Sequence, residues 1–140
     1  EVGAGRRIAA WAQTRPEFVR VLHPATPGSP GHAHWAVLCR AAAGLVSVEV
    51  DPRHGRDAVD AFVDALRLWR IGWSWGGPVS LAVPYGLRGM RSEASAAGRG
   101  IIVRLCLGLE SPDDLIADLE QALARTLAAS TPASPLAQAL

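Results

Sequence analysis

Lysine is absent from the 140 residues, and all 14 basic side chains are arginine. Any mechanism in which a lysine of this chain forms a Schiff base is thereby excluded. Arginine and alanine in excess with no lysine also fit a GC-rich coding bias, which carries no function. An excess of one charge sign is missing too. The 14 arginines nearly cancel 13 acidic residues, the formal net charge is +1, and no stretch is a basic run. Nucleic acid and anionic membrane surfaces are therefore excluded as expected partners. No apolar run approaches the length of a membrane span and no signal peptide opens the chain, so a cytoplasmic protein is expected. Cysteine is limited to Cys39 and Cys106, each among apolar neighbours. They are expected to be reduced core cysteines rather than a disulfide. The first residue is Glu1 rather than methionine, so the chain is expected to be a piece of something longer.

What is present is a globular composition, 49% hydrophobic and 19% charged, of a length that suits one domain with a real core. Ile8, Trp11 and Ala12 at helical spacing predict a short helix over Arg6 to Arg15, stopped by Pro16. Phe18 to Leu22 alternates as a strand. A proline- and glycine-rich stretch from Pro24 follows, either ordered or flexible. His34 to Ala42 suits a helical turn or two. In "GLVSVEVDP", Val46, Val48 and Val50 share one face, and Leu45, Ser47, Glu49 and Asp51 the other; the valine face is the expected core face. Asp57 to Leu68 is an amphipathic helix with Val59, Phe62, Val63 and Leu66 on its stripe. "VSLAVP" predicts a strand, residues 85–100 a polar loop, and Ile101 to Leu107 the last strand. Ser111 as N-cap, Pro112 at the first helical position and Asp113 and Asp114 at the positive dipole end announce a final helix. Its apolar stripe is Leu115, Leu119, Ala122 and Leu123, and the residues after Thr126 are expected to be a tail. Helices alternating with about four strands predict an α/β (α+β) open sheet covered by helices.

The last strand raises the functional question. Ile101, Val103, Leu105 and Leu107 fall on one face, and Ile102, Arg104, Cys106 and Gly108 on the other. A guanidinium buried without a partner is costly, so Arg104 must reach water, an acid of the protein, or an acid the protein binds. The pattern leaves these open. A solvated arginine on the open face of an antiparallel sheet is one answer, and a fork aimed at a carboxylate or phosphate is another. "WSWGGPVSL" is the second feature. Its pattern suits a strand end and turn whose tryptophans are core, or a site where Gly76-Gly77 lets backbone approach something closely. His23, His32, His34 and His54 match no common zinc spacing, so no metal site is expected. No Gly-x-Ser-x-Gly nucleophile elbow occurs. Asp113 and Asp114 are better dipole partners than paired catalytic acids.

Taken together, "IGWSWGGPVSLAVP" and "IIVRLCLGLESPDDLIADLEQAL", preceded in order by "RVLHPATPGSPGHAHW" and "GLVSVEVD", resemble the carboxy-terminal domain of the cystathionine β-lyases. These are pyridoxal-phosphate-dependent enzymes of cysteine and methionine metabolism with the aspartate aminotransferase-like fold type I. The resemblance runs over about residues 6–127, and the "SWGG" form, where much of the family has "SLGG", tilts it toward β-lyases. It implies a small domain over residues 1–128, largely an antiparallel sheet with helices on one face, then a tail over 129–140. It also implies that Arg104 pairs with the α-carboxylate of an amino-acid substrate. Ser74 and Trp75 would lie at the active site, and Trp73 would stand where β-lyases often carry a tyrosine. The implied reaction, in transsulfuration and methionine biosynthesis, is α,β-elimination of cystathionine to homocysteine, pyruvate and ammonia.

The large domain of such enzymes, with the pyridoxal-phosphate lysine, is not matched here. The chain is therefore expected to supply no catalytic residue and no covalent cofactor anchor, and to be inactive alone. Its partners would be that large domain and, through homo-oligomer formation, a second copy. The alternative is a non-catalytic α/β oligomerisation or interaction module. Two departures from the family pattern are local. Val79 stands where relatives have glutamate, and Ala36-Val37-Leu38 where they have Arg-Asp-Phe.

Overall fold

The computed structural model describes residues 2–128. Among the described residues, five strands and five helices follow one another as α1 (Val2–Ala12), β1 (Phe18–Leu22), α2 (His32–Leu38), β2 (Leu45–Val50), α3 (Arg56–Asp64), β3 (Arg70–Ile71), β4 (Leu81–Tyr85), α4 (Glu93–Ala96), β5 (Ile102–Cys106) and α5 (Pro112–Arg125). The strands form one sheet in the order β1-β2-β5-β4-β3, antiparallel except for the two-residue β3. That short strand is the one beyond the expected four.

Alternation does the sorting. Val46, Val48 and Val50 of β2 lie beside Val103 and Leu105 of β5, in the register Val46–Leu105 and Val48–Val103, and all five are buried. Onto this face pack Ile8, Ala9 and Ala12 of α1, Val59, Phe62 and Val63 of α3, and Leu115, Leu119, Ala122 and Leu123 of α5. Each fully buried leucine or phenylalanine stabilises the fold by about 1.5–3 kcal/mol. The core is thus one-sided, and the other sheet face is left for other uses.

Element ends depart from the sequence pattern where distant groups intervene. α1 begins at Val2, earlier than Arg6. α2 begins at His32, earlier than His34, and buries none of its residues. α3 ends at Asp64 instead of running to Leu68. The buried Asp118 carboxylate of α5 accepts the backbone N–H groups of Arg67 (2.9 Å) and Leu68 (2.7 Å), drawing the chain out of helix toward β3. The expected polar loop contains α4, where Ser92 caps the helix by accepting the Ser95 N–H. Ser111 does precede α5, with Pro112 in its first turn, but its side chain makes no cap bond. Leu127 is fully buried, so the core extends past Thr126, where a tail was expected; residues 129–140 lie outside the described residues. Cys106 is buried as expected. Cys39 is exposed, because α2 leaves its C-terminal end off the core; both are free thiols.

The second face carries Leu22, Ser47, Glu49, Ile102, Arg104, Val83 and Tyr85. Glu49, on the face read as polar, is 4% exposed. It pairs with Arg20 (2.8 Å), accepts two bonds from Arg99 (2.8 Å each) and accepts the N–H of Gly100 (3.0 Å). A Cβ on Gly100 would lie 1.7 Å from the Val50 carbonyl oxygen, so only glycine lets the loop approach β2 this closely. This cluster fixes where β5 begins, and with it the register of Arg104.

Candidate functional site

Arg104 sits in β5 between Ser47 of β2 and Val83 of β4, half-buried on the open face. None of the ion pairs among the described residues involves it. Its Nη2 donates to the carbonyl oxygens of Trp73 (2.6 Å) and Ser74 (3.4 Å). The guanidinium carbon lies 5.7 Å from the centre of the Trp75 ring and 5.5 Å from that of Tyr85. Nε is buried without a hydrogen-bond partner among the described residues. Nη1 is neither buried nor bonded among them, so its two N–H groups are the donors left for an anion. Arg104 is thus neither a freely solvated arginine nor half of an internal ion pair. An unpartnered buried donor costs about 1–3 kcal/mol, and a cation–π contact returns about 0.5–2 kcal/mol. The rings hold the charge in place without neutralising it, and an anion reaching the fork would.

The "WSWGG" segment is tied down at both ends. At its start, the N–H of Arg70 donates to the Ser80 carbonyl. At its end, the Glu110 carboxylate accepts both the N–H (3.0 Å) and the hydroxyl (2.8 Å) of Ser80, whose Oγ in turn accepts the Gly108 N–H. Leu109 N–H closes on the Pro78 carbonyl. Burial alone would raise the Glu110 pKa. The N–H and O–H of Ser80, with Glu110's own N–H, outweigh it and hold the carboxyl below its ordinary value. Gly76 takes a left-handed φ of 74°, which turns the chain between the ties. Trp73 and Trp75, 69% and 64% exposed, lie on the surface and not in the core. Trp73 meets Tyr85 edge-on at 5.4 Å. Ser74 is exposed, directs its carbonyl at Arg104, and makes no side-chain hydrogen bond among the described residues.

All four residues singled out from the sequence, Arg104, Trp73, Ser74 and Trp75, therefore meet. Tyr85 joins them unforeseen, because it ends a strand instead of opening a loop. The Ser80–Glu110 tie was also missed. Serine and glutamate 30 residues apart carry no local signal of their pairing.

The other candidates do not assemble. His23 and His54 are buried, while His32 bonds the Pro24 carbonyl and stacks on Trp35. No group of three or more His, Cys, Asp or Glu able to hold a metal occurs among the described residues. Burial holds His23 below its usual pKa, the nearby Arg6 charge adds to this, and a backbone contact with Ala43 opposes it. Asp113 pairs with Arg7, so one of the two acids at the start of α5 has a structural partner. No helix among the described residues is long and apolar enough to cross a membrane.

Residues 3–124 match the family model of the Cys/Met metabolism PLP-dependent enzymes. The chain belongs to this family. It is 46% identical over 123 residues to a cystathionine β-lyase of Bordetella avium, covering 84% of this chain and 30% of that protein. It is 37% identical over 119 residues to an L-alanine/L-glutamate racemase of Wolbachia pipientis wMel, covering 84% and 30%. Among solved structures, a cystathionine γ-synthase of Xanthomonas oryzae pv. oryzae in complex with aminoacrylate and cysteine superposes with a TM-score of 0.76 at 30% identity, over 91% of this chain and 34% of that one. The chain thus spans about a third of the length of the relatives it matches. The family is pyridoxal-phosphate-dependent, and its members share this mixed α/β fold type I architecture. Their names cover more than one reaction, so membership alone does not specify which.

Proposed function

We propose that residues 1–128 are the small domain of a carbon–sulfur lyase of the cystathionine β-lyase type, followed by a tail over 129–140. The domain carries Arg104 as the fork for the substrate's α-carboxylate. The observation behind this is the state of Arg104: charged, gripped by two carbonyls and two rings, and without an acid among the described residues. A planar guanidinium fits a carboxylate bidentately. Holding it in advance orients the substrate's Cα so that its proton faces a base on the rest of the enzyme. Trp73 and Trp75 wall the pocket, and Ser74 lines its entrance. The residues of this chain fit the amino-acid substrate and not the cofactor, for there is no lysine to anchor pyridoxal phosphate. When bound by the large domain, outside this chain, that group supplies the electron sink for elimination. The reading assigns α,β-elimination of cystathionine, in cytoplasmic methionine biosynthesis. It is supported by the SWGG sequence and the 46% identity to a β-lyase. The test is Arg104→Ala in the enzyme that joins this chain to its lysine-bearing domain. A loss of about 10–100-fold in kcat/KM, carried by KM, is expected with cofactor absorbance retained. Unchanged kinetics would remove the assignment.

The missing lysine favours a second reading for the chain by itself, a non-catalytic α/β module that self-associates through the face of Trp73, Trp75 and Arg104. Added pyridoxal phosphate should then not become covalently and stoichiometrically attached, and sedimentation should show oligomers. A monomer at high concentration counts against self-association.

A further inference from the structure

We infer that Tyr85 is the positioning residue of the Arg104 fork, an inference that deepens the carboxylate reading and rests on it. Tyr85 ends β4 and pairs in register with Ile102, two residues before Arg104 on the same open face. Its ring meets two groups at once: the Arg104 guanidinium at 5.5 Å and the Trp73 ring, with the ring centres 5.4 Å and the planes 83° apart. Trp73 is the residue whose carbonyl accepts Arg104 Nη2 at 2.6 Å. The contacts therefore close on themselves. Tyr85 supports the guanidinium directly, and supports the indole whose own backbone holds the guanidinium. Trp75 comes from a turn whose tip is exposed, whereas Tyr85 stands on a strand paired along its length with β5, so Tyr85 is the more rigid side of the clamp. The tyrosine hydroxyl makes no hydrogen bond among the described residues, so the ring and not the O–H is the working part.

An arginine on an open sheet face otherwise samples many rotamers, and ordering it at the moment of binding weakens the binding. Clamping it beforehand removes that loss. With the ring deleted, one face of the guanidinium opens to water and Trp73 loses its edge support, so the Nη2 bond to the Trp73 carbonyl loosens as well. The fork then persists in composition but not in position.

The test uses the 15N-labelled 140-residue chain without ligand, reading the Nε–Hε resonance of Arg104, identified by its disappearance in Arg104→Lys. In the unaltered chain this proton should show an upfield ring-current shift, restricted motion, and cross-relaxation with the Tyr85 ring. Tyr85→Phe should keep the shift and the order. Tyr85→Leu should lose both while the backbone amide spectrum stays folded. Overturning results are an Arg104 signal as shifted and ordered in Tyr85→Leu as in the parent, or a Tyr85→Phe signal as mobile as that of Tyr85→Leu. Should Tyr85→Leu not fold, absence of the Tyr85–Arg104 cross-relaxation in the unaltered chain overturns the inference equally. A second arm titrates L-alanine, which carries the α-carboxylate without a leaving group. Tyr85→Leu should need several-fold more of it to move the Arg104 signal. If L-alanine moves that signal in no variant, the carboxylate reading fails, while loss of order in Tyr85→Leu still supports the clamp.

Discussion

Two arginine clusters share the open face of the sheet, and they end differently. Around Glu49, the guanidinium groups of Arg20 and Arg99 converge on a buried carboxylate that also takes the Gly100 N–H, so both arginines share one acid within the chain. Around Arg104 there are carbonyls and aromatic rings but no acid among the described residues. The first arrangement has an internal acid and holds a loop to a strand, although Arg20 Nε is buried without a hydrogen-bond partner among the described residues. The second holds a charge in readiness and lacks one component. Basic residues of one type, on one face, thus divide by what surrounds them into those paired with an acid and one that is not, and the proposed reading assigns the latter to a ligand.

The largest effect expected from this contrast is on stability. Glu49→Ala leaves two arginines and a backbone N–H without their acceptor. Breaking a buried pair costs about 3–5 kcal/mol, and the arginines, each about a third exposed, regain part of this from water, which leaves about 2–3 kcal/mol. Arg104→Ala removes ring contacts but also an unsatisfied donor, so it should cost under about 1 kcal/mol. Urea unfolding of both variants checks the pair. Equal losses would break the distinction between the two clusters.

Much of this contrast was visible beforehand, and the invisible part has a physical reason. Alternation in "SVEV" and "IIVRLC" assigns Val48 and Val103 to the core and Arg104 to the opposite face, because side chains in a strand change sides at every residue. The α5 start was equally plain, since its signals sit within four consecutive residues, Ser111 to Asp114. Glu49 was legible as a member of the open face but not as buried, for its burial comes from Arg99, 50 residues away. The early end of α3 at Asp64 depends on Asp118 in the same way. The aromatic clamp required knowing that β4 pairs with β5, which sets Tyr85 near Arg104; local pattern carries no strand order.

A subtler substitution sharpens the comparison. Lysine keeps the charge of arginine and loses its planar set of donors. At Arg99 this replaces two bonds to Glu49, from Nε and Nη2, by one at best, and should cost about 1 kcal/mol. At Arg104 only the Nη2 bonds and ring stacking are exchanged, and stability should shift by less than about 0.5 kcal/mol. The same denaturation experiment reads both. A cost at Arg104 equal to that at Arg99 would make Arg104 a structural residue.

The smallest effect is a titration that bears on the frame of the unfinished cluster. Glu110 anchors the segment bearing Trp73 and Trp75, and its folded-state pKa is depressed from an ordinary value of 4.5. The unfolded chain therefore takes up this proton first as pH falls. The stability contributed by Glu110 is complete above about pH 4.5 and is lost as pH drops through the folded value. His23 is also depressed, from 6.5, so its contribution is complete above that pH and declines below it, in a window that opens earlier. Melting temperatures across pH should show Glu110→Gln flattening only the lower part of the profile, and His23→Gln the upper part. A lower limb unchanged by Glu110→Gln would mean that the Ser80 bonds do not hold this segment. The rigidity of the Arg104 frame would then rest on the Trp73–Tyr85 contact and on the backbone bonds Arg70–Ser80 and Leu109–Pro78.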